Sequence, residues 1–302
     1  MGLDVGLARL IENPATAGVG ARLVRQRTVV CAYHGVDDPA RFESQIRSLL
    51  RRRRPLSGAE FADCVRSGRT SGPPSFLVTF DDGHRSVLEQ GAPILQRLGV
   101  PGVVFVVAGL IGTEDPFWWD EVDRRSRAGG RTGVAAGEGL DLVRALKLVP
   151  DGDRRRAIDE LRASAPIDVT EPQLTPDDLL RLEAAGVDVA SHSWSHPCLD
   201  RCSDAEIRSE LVRSREFLEA RLGHPVRWLA YPNGNVDDRV ASIASESGYH
   251  LGFGFDHRLT RIPVADPMRL SRVRVDSVAP NHRFESVVTG VHPWVHHLRG
   301  RP

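Results

Sequence analysis

The chain has 302 residues, 41% of them apolar and 26% charged, with forty basic side chains against forty acidic ones. This length and apolar content suffice for a large core, and a barrel of this size can be a single domain spanning residues 1–302. The balanced charge gives no electrostatic case for a nucleic-acid partner or an anionic membrane surface.

Residues 1–27 read as a leading helical extension with a turn at Asn13-Pro14. No basic stretch precedes an apolar core there, and no apolar run in the chain approaches the ~20 residues of a membrane span, so the expected location is the cytoplasm. Four cysteines without framework spacing (Cys31, Cys64, Cys198, Cys202) suit a reducing compartment. The first strand candidate is TVVCAY (28–33), followed by His34 in YHGVDD. An apolar helix face (Phe42, Ile46, Leu49, Leu50) runs into Arg51-Arg52-Arg53-Arg54. That run reads as a solvated helix end, where cations are favoured; contact with lipid headgroups or a sugar-linked phosphate is the alternative.

SFLVTF (75–80) is the next strand candidate and delivers Asp81-Asp82-Gly83. A helix over 85–98 stops at Gly99, and GVVFVVA (102–108) is a further strand. Residues 114–175 break the alternation as a polar, helical insertion. It opens on Pro116-Phe117-Trp118-Trp119-Asp120-Glu121, whose paired tryptophans suit packing or a stacking platform for a sugar ring. VDVAS (187–191) leads into SHSWSHP, which carries His192 and His196. A helix over 203–222 has a capping box, Ser203 three residues before Glu206, and ends at Gly223. VRWLAY (226–231) leads to Pro232-Asn233-Gly234; a helix over 236–247 ends at Gly248; YHLGFGF (249–255) and RVRV (272–275) close the series, with Asp276 beyond. Strand–helix alternation of this kind predicts an α/β fold with a parallel sheet, and about seven units favour a barrel, complete or not, over an open sheet.

In parallel α/β folds the site lies at the carboxyl ends of the strands. His34, the Asp81-Asp82 pair, the two histidines and the PNG turn all fall there. Neighbours in an extended strand point to opposite faces, so both aspartates reach one site only if the backbone turns, which Gly83 permits. Alone, a DDG is most often a surface turn, but the apolar run before it places this one in the interior. Two imidazoles and one carboxylate form a catalytic zinc set with a position open for water, and the second aspartate is then free to act as a base in acyl hydrolysis. Cys198 and Cys202, four apart beside the histidines, are an alternative zinc pair, though a cysteine-rich site would be closed and structural.

LVTFDDG, SHSWSHP and LAYPNG, in that order, resemble the polysaccharide deacetylases, the NodB-homology or carbohydrate esterase family 4. YHGVDDPARFESQIRSLL, WWDEV and the late LSRVRV are similar to its cytoplasmic and surface-polysaccharide branch. The resemblance implies a distorted (β/α) barrel of seven or eight strands and a metal-dependent hydrolase that removes acetyl groups from N-acetylated sugars. Asp82, His192 and His196 would hold a divalent metal, zinc first; Asp81 would be the base; the Tyr231 backbone N–H would serve the oxyanion. Many members carry an arginine at the third motif, where this chain has Ala230, and Arg272 or Arg274 from a later strand end is the expected replacement. The usual late leucine-histidine acid has no clean match in VHPWVHHLRG (291–300). In relatives with permuted motifs the acid comes from YHxV, which selects His34 and leaves His292, His296 and His297 as tail residues. An O-acetyl esterase or another amide hydrolase on the same site, or a silent carbohydrate-binding barrel, are the competing readings.

Overall fold

The computed structural model describes residues 27–70 and 72–289. β1 (Arg27–Tyr33) is followed by α1 (Pro39–Leu50), whose start is capped by the Asp38 carboxylate accepting from the Arg41 N–H at 3.0 Å, and which buries Phe42, Ile46 and Leu49. The short β2 (Arg54–Pro55) and α2 (Gly58–Ser67) precede β3 (Ser75–Phe80), buried along its whole length. A wide helical turn over Val87–Gly91 continues into α3 (Ala92–Leu98), and β4 (Gly102–Val106) is again wholly buried. Strands covered on both faces read as continuous apolar runs, and these do.

The insertion folds as α4 (Trp118–Arg127), α5 (Gly139–Leu146) and α6 (Asp151–Ser164), packed through Trp118, Val122, Leu142, Leu146 and Leu161. α7 (Pro176–Ala184) carries a capping box from Thr175 and Asp178. Then come β5 (Val187–Ser191), α8 (Asp204–Leu222) with the Ser203–Glu206 capping box, β6 (Trp228–Ala230) and α9 (Asp238–Glu246). β7 (Leu251–Phe253), β8 (Thr260–Arg261), β9 (Val273–Arg274) and α10 (Asn281–Val288) complete the described chain. No helix among the described residues is long and apolar enough to cross a membrane.

The sheet runs β7-β6-β5-β4-β3-β1, all parallel, with β2 on β3 and β9 on β1 also parallel; β8 joins β1 antiparallel. This curled parallel sheet ringed by helices is the expected barrel-like fold. Its two margins approach through residues 270–274: Leu270 exchanges hydrogen bonds with Gly252 and Gly254, while Val273 is paired with Cys31 of β1. Arg272 sits in the middle of that bridging segment, with no exposed surface.

The late strands are shorter than the sequence suggests: 228–230, 251–253 and 273–274 instead of 226–231, 249–255 and 272–275. The turn over Tyr231–Asn235 and the parallel bridge between Phe253 and Leu270 use the flanking residues. The predicted leading helix lies outside the described residues except for Arg27, which opens β1; the tail histidines His292, His296 and His297 lie outside them as well.

Candidate active site

β3 delivers its two aspartates by ending in a turn. The Asp81 N–H continues the ladder to Tyr33 O at 2.8 Å, after which Asp82 and Gly83 take left-handed φ of 69° and 86°. A left-handed aspartate is uncommon, and the conformation cancels the alternation that would send the two carboxylates to opposite faces. β5 ends similarly: the His192 N–H bonds Val106 O at 2.9 Å, and Ser193 and His196 then adopt φ of 65° and 57°. Such residues store strain on the order of 1–3 kcal/mol each and persist only where the surroundings hold them.

Two supports hold the histidine loop. Glu210, from α8, accepts from the N–H groups of Trp194 (3.0 Å) and Ser195 (2.7 Å) and from the Ser195 hydroxyl (2.8 Å). The Trp118 indole N–H, from the insertion, donates to His196 O at 3.0 Å, while Trp119 stands edge-on to the His196 ring at 4.5 Å. The predicted tryptophan pair thus divides its roles: Trp118 is buried and anchors the loop, and half-buried Trp119 faces the site.

Asp82, His192 and His196 converge as expected, with ligand atoms all within 4.8 Å of one another. Both imidazole Nε2 atoms approach the same oxygen, Asp82 Oδ1, at 3.3 Å from His192 and 3.5 Å from His196. Tetrahedral zinc with bonds near 2.1 Å separates its ligands by about 3.4 Å, so both spacings match edges of such a tetrahedron. His192 Nδ1 lies 2.8 Å from Ala230 O, a contact that fixes the proton on Nδ1 and leaves Nε2 bare toward the cleft. His196 Nδ1 is buried without a protein partner. The donor set therefore fits a divalent cation.

Asp81 faces a different partner. Arg272 grips it bidentately, Nη1 to Oδ1 at 2.6 Å and Nη2 to Oδ2 at 2.9 Å, and Arg272 Nε donates to Gly254 O at 3.1 Å. Of the two arginines considered for the place of Ala230, Arg272 makes this contact, whereas Arg274 is exposed on the rim. Burial alone would raise the Asp81 carboxyl, but Arg272, helped by His192 and His34, holds it below the usual carboxylate range. Asp82 is likewise favoured by burial toward protonation, and the His192 and His84 contacts hold it well below that range. Burial and the neighbouring His192 push His196 down to about 3, so it is neutral; His192 itself is raised because Asp82 and Asp81 outweigh its burial.

His34 lies in the rim loop after β1, stacked 6.4 Å from Phe255, close enough for Asp82 and Asp81 to influence its proton affinity. Burial is the larger effect and lowers its pKa. Tyr231 is placed differently from expectation. Its N–H donates to Phe253 O at 3.0 Å in the β6–β7 ladder and its hydroxyl to Met268 O at 2.9 Å, so the expected oxyanion donor is already occupied. Pro232 has no N–H, and those of Gly234 and Asn235 bond Tyr231 O and Pro232 O. That leaves the N–H of Asn233, a left-handed residue (φ 57°), without a hydrogen bond among the described residues.

Three further side chains at the site escaped the sequence reading. His84 Nε2 is 3.5 Å from Asp82 Oδ2, and its place directly after DDG was the available signal. Glu210 and Lys147 arrive from distant helical stretches that carry no motif; Lys147 Nζ donates to Asn233 Oδ1 at 2.5 Å. The cysteines do not form an alternative metal pair with the histidines: Cys198 Sγ accepts from Asn233 Nδ2, and the Cys202 thiol points to Cys198 O.

Acids, imidazoles and a buried arginine gather at the carboxyl rim of a curled parallel sheet in a barrel-like α/β fold. A family model described as polysaccharide deacetylase matches residues 68–252, more than half of the chain. The chain belongs to the polysaccharide deacetylase family. Its fold is similar to that of IcaB from Ammonifex degensii (TM-score 0.62, 18% identity, 88% of this chain and 97% of that one). It is also similar to the Streptococcus pyogenes deacetylase PplD, solved with acetate (TM-score 0.60, 16% identity, 88% and 98%). In sequence it is 33% identical over 73 residues to a chitin deacetylase of Amylomyces rouxii, a stretch covering 24% of this chain but only 17% of that protein.

Proposed function

We propose that this deacetylase is a metal-dependent hydrolase that removes the acetyl group of an N-acetylated sugar and releases acetate. The observation that carries the reading is the pairing of a complete two-histidine, one-aspartate donor set with a second, unshared carboxylate gripped by a buried arginine. A silent binding barrel has no use for both.

Asp82, His192 and His196 would hold the cation, which when bound supplies Lewis-acid polarisation of the acetyl carbonyl and a water of lowered pKa. Asp81 accepts the proton of the attacking water; Arg272 keeps that carboxylate ionised and aimed. The Asn233 N–H donates to the oxyanion as it develops, a role its free, left-handed amide suits. His34 hands a proton to the departing amine. Trp119 offers an aromatic face beside His196 on which the apolar side of a pyranose can rest.

The test is acetate release by the purified chain on parallel N-acetyl and O-acetyl sugars, before and after chelation. The reading requires release from the N-acetyl series, its loss on chelation, its recovery with added zinc, and absence of bound metal in Asp82→Asn. Preferential turnover of the O-acetyl series would move the assignment to an esterase. Full activity in the metal-free protein would reject the proposed centre. The proposed setting is the cytoplasm, as the sequence suggested, and cell fractionation checks it.

A further inference from the structure

Thirty-nine of the forty basic side chains are arginine; the single lysine is Lys147. It stands in the insertion immediately after α5, and it is half-buried at the candidate active site. Its hydrogen bond among the described residues goes to a neutral acceptor, Asn233 Oδ1. No carboxylate pairs with it among the described residues. An ammonium has three rotatable donors, so the bond to Asn233 leaves two free.

Arg274 lies on the other side of the same rim. β9 pairs Arg274 with Ala32 of β1, so its guanidinium emerges beside the loop that carries His34. It is exposed and forms no hydrogen bond or ion pair among the described residues. Burial makes Lys147 easier to deprotonate; Asp82 opposes this, and Arg274 is near enough to add to it and also to act on His34, which burial already lowers. The nearest acids are committed elsewhere: Asp81 to Arg272, Asp82 to the imidazoles. The mouth of the site thus carries two cationic groups that the protein leaves without a counter-ion.

We infer that Lys147 and Arg274 form a phosphoryl subsite, so that the N-acetyl sugar bears a phosphate or pyrophosphate linked close to the scissile amide. Two unmatched positive charges suit a phosphoryl group of charge near −2 better than a single carboxylate. A compact ammonium beside a guanidinium also supplies both a point charge and a planar fork for its oxygens. A neutral polymer chain would leave both charges unanswered. The inference rests on the deacetylase reading for the sugar but not for the anion, and the test separates them.

The full chain and the variants Lys147→Met, Lys147→Arg and Arg274→Gln are titrated with N-acetylglucosamine 1-phosphate, with its neutral methyl glycoside and with inorganic pyrophosphate, by calorimetry at low and at high salt. Acetate release from the two sugars is measured in parallel. The expected result is a phosphosugar bound at least about tenfold more tightly than the glycoside, with each charge-removing variant losing about tenfold for the phosphosugar alone. Lys147→Arg should retain part of that affinity. A nucleoside-diphosphate sugar and a phosphosugar on a short lipid, run as further arms, tell a soluble donor from a lipid-carried one. If phosphosugar and glycoside bind alike, or if Arg274→Gln weakens binding of both alike, the subsite is overturned while acetate release still stands. Phosphate-dependent binding without acetate release from any sugar would keep the subsite and overturn the deacetylase reading.

Discussion

The pair between Arg272 and Asp81 makes a quantitative test, because both partners are almost wholly buried (0% and 2% exposed). Arg272→Met keeps much of the apolar stem but leaves a carboxylate in the interior without its counter-ion. Breaking a buried pair by removing one partner costs about 3–5 kcal/mol. In a chain of this size each kcal/mol shifts Tm by about 2 °C, so a drop of about 6–10 °C is expected. The double variant Arg272→Met/Asp81→Asn removes both charges and should be more stable than Arg272→Met alone. The pH dependence has a definite sign. In the parent, the lowered Asp81 pKa contributes stability above the unfolded carboxylate value, which is lost as pH falls through the folded one. In Arg272→Met burial is left as the main influence and raises the group, so the variant loses stability as pH rises through that raised value. The deficit should therefore be widest at neutral pH and shrink toward about pH 4. The assay is urea denaturation of metal-free protein at a series of pH values. A cost below about 1 kcal/mol at neutral pH, or strictly additive single and double effects, would refute the reasoning.

Three other outcomes follow from the geometry. Glu210→Ala removes the acceptor for three donors of the histidine loop, and should cost about 1–3 kcal/mol and weaken zinc affinity, checked by metal titration and melting; unchanged zinc affinity would show the loop holds itself. Trp118→Phe deletes the indole bond to His196 O while keeping the apolar contact, and should lower stability by about 1 kcal/mol with a smaller effect on the core of the insertion, read by double-mutant comparison with Leu161→Ala. As an acid His34 must be protonated, and burial has lowered its pKa from 6.5, so kcat/KM should decline as pH rises through a value below about 6.5, and the limb should vanish in His34→Gln; an alkaline limb that survives that change assigns the proton to another donor.

The candidate metal set was legible in the sequence because each donor follows a recognisable strand end. Asp82 comes after six buried residues and His192 after five mostly buried ones, and in a parallel sheet such ends share one rim. Arg272 was legible only as one of two candidates, since Arg272 and Arg274 are two residues apart and a regular strand would turn both to one face. The strand starts only at Val273, and in the segment before it Arg272 is buried against Asp81, while Arg274 within β9 stays exposed on the rim. The Tyr231 N–H expected to serve the oxyanion is already bonded within the sheet. LAYPNG gives no sign that β6 extends its ladder through the Tyr231 N–H to Phe253 O. Glu210 and Lys147 could not be found at all, since each is brought in by tertiary packing of a helix distant in sequence.

The backbone geometry ties these findings together. Five non-glycine residues of the described chain have positive φ, and four of them, Asp82, Ser193, His196 and Asn233, lie in the loops of this one site. Left-handed conformations at aspartate, serine, histidine and asparagine are costly enough to relax unless opposed. What opposes them comes from outside each loop: Val107 bonds Asp82 O, Ala108 bonds Ser193 O, Trp118 bonds His196 O, and Lys147 holds the Asn233 side chain. Two of those four restraints belong to the insertion. The insertion is therefore part of what keeps the rim in its working shape, and the strained loops at the sheet's edge depend on helices that contribute no residue to the metal set.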